Sequence, residues 1–322
     1  MKGNSKESEK KKFKLKHLWS LLKETYKEWD DDEPYRLSAI VAYYAILSLP
    51  AMMVIIIKIA GILFGEAAVQ SSISGEIKNM LGPDAAQSVS TMIQNASQTE
   101  GSIFTIILGI ATLIYGATSM FFHLQKSLNQ VWEVEAAPER AGWKKLIIDR
   151  LTSFGLILII AFLLLISLIL SAALSALSGW ISQILPSITV YLFFVINFVL
   201  SLFIVTLLFA MIYKVLPDVD LKWKHTWIGA FVTALLFVIG KTLLGLYFGQ
   251  TDPGSTYGAA GSIILILLWV SYSCLILFFG AEFTQVYVRR YGEYIKASSH
   301  AVKVSTFKLK DDEESKPLNK SK

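Results

Sequence analysis

Apolar residues dominate six long stretches of this chain, at 38–64, 103–122, 151–177, 188–213, 226–248 and 262–288. Each reaches roughly the 20 residues that a helix rising about 1.5 Å per residue needs to cross about 30 Å of hydrocarbon. The run Phe154–Leu174, FGLILIIAFLLLISLILSAAL, holds no charge. A helix is required there, because a strand or loop would leave backbone groups unsatisfied in lipid. The pattern predicts an all-α polytopic membrane protein with six transmembrane helices.

Weaker patterns lie between and before the stretches. Leu15, Leu18, Trp19, Leu22, Tyr26 and Trp29 recur at helical spacing, with Lys14, Lys16, Lys23 and Lys27 on other faces. This predicts an amphipathic helix on the inner membrane surface, although a cytoplasmic helix packed on the loops would share the pattern. In the long connection 65–102, Val69, Ile73, Ile77, Met80 and Leu81 share one face, Gly82 and Pro83 break it, and Val89, Met92, Ile93 and Ala96 begin another. Two short amphipathic helices over the outer mouth are expected. The chain thus divides into a basic N-terminal segment 1–37, a membrane domain 38–290 and a tail 291–322 predicted to be disordered for want of core-forming residues. Its first apolar run starts too late and is too long for a cleavable signal peptide.

Composition sharpens this picture. Hydrophobic residues make up 54% and charged residues 17% of the 322, against about 45–50% and about 25% in soluble chains. The formal charge of +5 is not a nucleic-acid patch, because the basic residues alternate by loop. The N-terminal segment holds 10 Lys and Arg, segment 123–150 five, 214–225 three and residues 289–322 nine, whereas the intervening loops hold one in total. By the positive-inside rule both termini are cytoplasmic in a plasma (inner) membrane. Trp132, Trp143, Trp223 and Trp227 fall beside inner span ends and Trp180 beside an outer one, as interfacial indoles do. The single cysteine, Cys274, excludes an intrachain disulfide or a cysteine zinc site.

Several segments carry a resemblance: AYYAILSLP, LQKSLNQVWEV, LPDVDLKWKHTWIGA, YGAAGSIILILLWVSYS and GAEFTQVYVRR. In this order, between about Pro34 and Arg290, they resemble the YihY/BrkB family of bacterial inner-membrane proteins. The resemblance implies six transmembrane helices and a plasma-membrane location, and it implies no reaction. Some members of that family have carried the name ribonuclease BN, but the residues here argue against such chemistry. His17, His123, His225 and His300 are far apart, with no HxH or HxxxH spacing and no flanking carboxylate pair. The acidic run Asp30–Glu33 reads as solvated charge. No nucleotide-binding loop or nucleophile elbow occurs, so no cofactor, metal or enzyme activity is expected.

Charge inside the spans is the remaining signal, because an ionised group at span centre costs about 2.5–3.5 kcal/mol. By helical rise, Lys58 and Lys241 lie about 9–10 Å from the outer boundary and Asn197 about 14 Å. Two readings stand: each lysine snorkels to the headgroups, or the three residues form a shared anion-binding site. Glu282, about 9 Å from the cytoplasmic boundary, is expected to pair with Arg150, or with Lys126; a proton or cation site is the alternative. Ser167, Ser171, Ser175 and Ser178 stripe the third span and suit close helix packing or a polar path. Pro50 should kink the first span.

These features predict a transporter or translocator of a small or amphiphilic solute, an anionic one being compatible with the lysines. Membrane lipids are the expected partners; homo-oligomerisation is left open. A non-transporting envelope scaffold that gathers partners through its loops and tails is the rival expectation.

Overall fold

The computed structural model describes residues 17–97, 103–136, 147–148, 150–163, 166, 186–251, 260–291, 296–298 and 301–303. Helix α1 (Leu18–Asp31) leads through a two-residue turn into α2 (Pro34–Phe64). Pro34 opens α2 because its fixed φ and missing N–H suit a first helical position. Gly65, at φ 82°, ends α2 with its N–H on Gly61 O, and Gly82, at φ 91°, ends α3 (Glu66–Leu81) with its N–H on Lys78 O. Side chains rarely adopt such backbone angles, so glycine is the residue that can stop a helix this way. Pro83 then opens α4 (Pro83–Ser97).

The remaining helices are α5 (Ile103–Val131), α6 (Arg150–Leu163), α7 (Pro186–Val215), α8 (Trp223–Thr251) and α9 (Gly261–Tyr291). Among the described residues four helical stretches are long and apolar enough to cross a membrane: Pro34–Phe64, Phe198–Val215, Trp223–Phe248 and Gly261–Tyr291. They match the first, fourth, fifth and sixth expected stretches. The second stretch lies in the 29-residue α5. The third is described mainly as α6, and its serine stripe lies outside the described residues.

Helix α2 packs on α5 and α9, and α8 packs on both α7 and α9. Their shared core includes Val41, Phe121, Leu128, Leu156, Phe209, Tyr213 and Phe278. The α8–α9 contact is reciprocal: Thr284 of α9 sits on Gly229 of α8, and Thr233 of α8 sits on Gly280 of α9. Each threonine hydroxyl donates to its own helix four residues back, on Gly280 O and Gly229 O at 2.7 and 2.8 Å. Both polar groups are therefore satisfied where the two backbones come close.

The 65–102 connection contains two helices, as its pattern predicts. Val69 of α3 and Val89 and Ile93 of α4 bury against Val54, Ile57 and Ala60 of α2 and Ile266 of α9.

Two features of the opposite end differ from the sequence reading, and a third was not anticipated by it. Helix α1 does more than lie on a surface: Leu21 and Thr25 are fully buried, and Leu21 packs on Phe283 and Val286 of α9. Trp19 and Tyr26, on another face of α1, are exposed. Second, the tail expected to be disordered forms strands within residues 296–303. Strand β4 (Ala301–Lys303) pairs antiparallel with β1 (Val134–Ala136), and β3 (Lys296–Ala297) with β2 (Val219–Asp220). Short edges of two loops supply backbone partners that a tail poor in apolar residues could not find in a core of its own. Third, Asn129 fixes the loop between α7 and α8, accepting from Asp218 N at 2.8 Å and donating to Asp218 Oδ2 at 2.9 Å. Ser298 N donates to Asp218 O at 3.0 Å, which ties the tail to the same point.

Candidate functional site

The turn between α1 and α2 is crowded with acid, Asp30, Asp31, Asp32 and Glu33 in succession. Helix α1 runs antiparallel along the end of α9, so this turn is carried inward beside α9. His17 Nδ1 lies 3.2 Å from Tyr291 Oη, Arg290 donates to Ser20 Oγ at 2.9 Å, and Arg289 bridges Glu24 and Glu28 at 2.9 and 2.8 Å. Arg290 also pairs with Glu24. Further along, Trp29 Nε1 donates to Leu275 O at 3.3 Å, and its ring meets Phe279 edge-on. The acids of α1 that face α9 are thus spent on its two arginines.

Asp32 comes to rest against Glu282, and the two carboxyl groups share a side-chain hydrogen bond. Glu282 is 1% exposed. Its Oε2 has no hydrogen-bonding partner among the described residues. From the end of α5, Gln130 Nε2 donates to Asp32 O at 3.3 Å and holds the turn. Burial pushes the Asp32 carboxyl above its ordinary value, and the charges of Glu133, Glu28 and Asp31 push the same way; the hydrogen bond with Glu282 opposes them. Two carboxyl groups can share a hydrogen bond only while one holds a proton, so a contact of this kind is able to bind and release one.

Glu282 does not pair with Arg150. Nη1 of Arg150 donates to Thr118 Oγ1 at 3.0 Å, Ser119 Oγ at 3.2 Å and Tyr115 O at 3.3 Å, all on α5. Depth along a span fixes a level but not the neighbour a side chain faces, and that is where the expectation failed. The expected partner Lys126 stands over the Phe122 ring instead. Asp32 is the residue that sequence reading dismissed as solvated. Its signal was present: Leu21, Thr25 and Asp32 follow one helical stripe, and the first two are apolar or small enough to be buried.

Among the described residues no contact joins Lys58 to Lys241, the two cations of the expected anion site. Lys58 Nζ binds both carboxylate oxygens of Glu66, at 2.8 and 2.9 Å, with both side chains more than half exposed. The chain itself supplies the counter-charge, from the first residue of α3. Lys241 is exposed on α8 and has no partner among the described residues. Asn197 lies on α7, and its side chain is outside the described residues. Pro50 is inside α2, which remains helical from Pro34 to Phe64. Among the described residues no group of three or more His, Cys, Asp and Glu side chains could hold a metal ion.

Long apolar helices packed into one bundle, with a polar layer at one end, define a multi-pass helical membrane protein. Residues 25–305 match the family described as Virulence factor BrkB, and the chain belongs to that family. A UPF0761 membrane protein of Verminephrobacter eiseniae is 27% identical over 225 residues, 69% of this chain and 50% of that protein. A UPF0761 membrane protein of Tolumonas auensis is 28% identical over 197 residues, 61% of this chain and 60% of that one. One from Haemophilus influenzae is 26% identical over 266 residues, 80% of this chain and 91% of that one. The chain therefore spans about half and three fifths of the length of the first two relatives. No solved structure matches it.

Proposed function

We propose that this protein is a proton-coupled carrier that moves a small or amphiphilic solute across the plasma membrane, with both termini in the cytoplasm, and that it is not an enzyme. The observation that carries the reading is the hydrogen-bonded Asp32–Glu282 pair, which joins the α1–α2 turn to α9. With one proton in place the pair holds the two elements together. Loss of that proton would leave two like charges in contact in a poorly solvated place, where neighbouring charges oppose ionisation most strongly. Separation of α1 from α9 relieves the repulsion, so proton release and opening of this end are one event. The exposed ion pair Lys58–Glu66 gives no support to an anionic substrate.

Purified protein in liposomes that enclose a pH-sensitive dye provides the test. An imposed pH gradient, with valinomycin and potassium to clamp the voltage, should drive proton flux on addition of the transported solute from a pooled screen. Asp32→Asn and Glu282→Gln should abolish that flux at unchanged protein content. A scaffold predicts that no solute evokes flux in the native protein and that the two replacements alter stability alone; that outcome overturns the carrier reading.

A further inference from the structure

One face of α5 carries Tyr115, Thr118, Ser119, Phe122, His123 and Lys126, at the spacing that stacks side chains along a helix. Arg150, at the start of α6, lies across this face with its guanidinium 4.4 Å from the Tyr115 ring centroid and 4.8 Å from that of Phe122. Lys126 Nζ stands 4.8 Å from the same Phe122 centroid. His123 stacks on Tyr44 of α2, with ring centroids 3.5 Å apart and planes 9° from parallel. Three basic groups from two helices thus gather around Phe122.

Their partners are neutral. Arg150 hydrogen-bonds two hydroxyls and a carbonyl, and the hydroxyls are themselves anchored, Thr118 Oγ1 on Ile114 O at 2.8 Å and Ser119 Oγ on Tyr115 O at 2.7 Å. The guanidinium is therefore held in one orientation with its charge intact. Among the described residues no carboxylate pairs with Arg150 or Lys126, and the two cations, both within 4.8 Å of one ring centre, stand within the about 10 Å over which salt leaves charges coupled. A fixed guanidinium is a bidentate donor suited to phosphate oxygens, and a nearby ammonium adds a second positive charge. Beside these groups the surface is apolar and exposed: Tyr43, Leu47, Tyr115, Ile148 and Leu151 are each at least half exposed. In a membrane-spanning bundle such a surface meets acyl chains, so cationic groups and apolar wall together have the two-part form of a phospholipid.

We propose that Arg150 and Lys126, seated on Tyr115 and Phe122 beside His123, bind the phosphate of an anionic phospholipid headgroup whose chains lie along α5 and the start of α6. The inference does not depend on the carrier reading; it requires only that the bundle sits in a membrane. Anionic lipids and basic pockets between helices meet at the cytoplasmic leaflet, where each Lys or Arg is worth about a fivefold change in affinity.

Native mass spectrometry of the full chain, delipidated in detergent and titrated with phosphatidylglycerol or phosphatidylcholine, measures the binding. The native protein should hold phosphatidylglycerol at least tenfold more tightly than phosphatidylcholine. Lys126→Gln, a change at an exposed side chain, should weaken phosphatidylglycerol about fivefold. Arg150→Gln with Lys126→Gln should weaken it about 25-fold and bring it close to the affinity for phosphatidylcholine, with an unchanged circular-dichroism spectrum reporting an intact fold. Equal affinities for the two lipids, or phosphatidylglycerol binding within twofold of native in both variants, would overturn the proposal. Displacement of phosphatidylglycerol by equimolar inorganic phosphate would reassign the cations to a soluble anion and overturn the lipid assignment.

Discussion

Replacing Gly280 by alanine tests how closely α8 and α9 must approach. The added Cβ would overlap Thr233 Oγ1 outright and stand 2.5 Å from Tyr213 Oη. Neither neighbour is the free end of a flexible chain. Thr233 and Tyr213 are fully buried, Thr233 is tied to Gly229 O, and Tyr213 Oη donates to Leu277 O at 2.7 Å and meets Thr233 Oγ1 at 2.9 Å. The helices must therefore part, or this network must break. Forcing an extra methyl into a packed site costs about 1–3 kcal/mol, and stranding a buried hydrogen-bonding group costs a further 1–3 kcal/mol or so. Alanine returns about 1 kcal/mol of helix propensity, too little to compensate. Gly280→Ala should lower the unfolding free energy, measured by SDS titration in micelles, by about 2–4 kcal/mol. Thr233→Ala in the same chain removes the overlapping oxygen and should recover about 1–2 kcal/mol, a coupling that independent sites would lack. A Gly280→Ala protein as stable as the native one, or strictly additive effects of the two changes, would refute the close-crossing argument.

Because Asp32 holds its proton more tightly folded than unfolded, it makes stability fall as pH rises from the ordinary carboxylate range through its raised folded value; Asp32→Asn should flatten that slope, and an unchanged slope would show that other groups set it. Cysteines introduced singly, in a chain whose Cys274 is replaced by serine, should react with an impermeant maleimide from outside the cell at positions in 65–102 and only from inside at positions in 123–150 and at both termini. Labelling of 65–102 from the cytoplasm alone would invert the orientation. Protein freed of contaminating nucleases should leave RNA intact with or without divalent metal. RNA turnover abolished by a single substitution in this chain would contradict the non-enzyme reading.

The helices were legible because lipid leaves an apolar run of this length one backbone solution, and the breaks were legible because Gly65, Gly82, Pro34 and Pro83 act through their own backbone chemistry. Partner choice was not legible. Helical periodicity assigns Glu282 and Arg150 a face and a depth, but the direction each face looks is decided by how the helices assemble. Hence Glu282 met an acid from the turn before α2, while Arg150 met the hydroxyls of α5. Lys58 shows a related failure: depth arithmetic paired it with a lysine on another span, when a carboxylate eight residues ahead, just past Gly65, was within reach. The quoted motifs nevertheless converge. Asn129 and Asp218 come from two of them and bind each other, and Gly229 and Gly280 come from two and face one another's threonines.

The pairing of β1 with β4 sets an order of assembly. Strand β1 leaves the ribosome roughly 165 residues before its partner, and at about 5–20 residues per second this is an interval of roughly 8–33 s. Throughout that time α7, α8 and α9 must be inserted while an open strand edge waits on the loop after α5, a template that another chain could occupy. Strand β4, the last of the described strands to emerge, therefore closes that edge, and a chain that stalls before Ala301 leaves the ribosome with its helices in place and the edge bare.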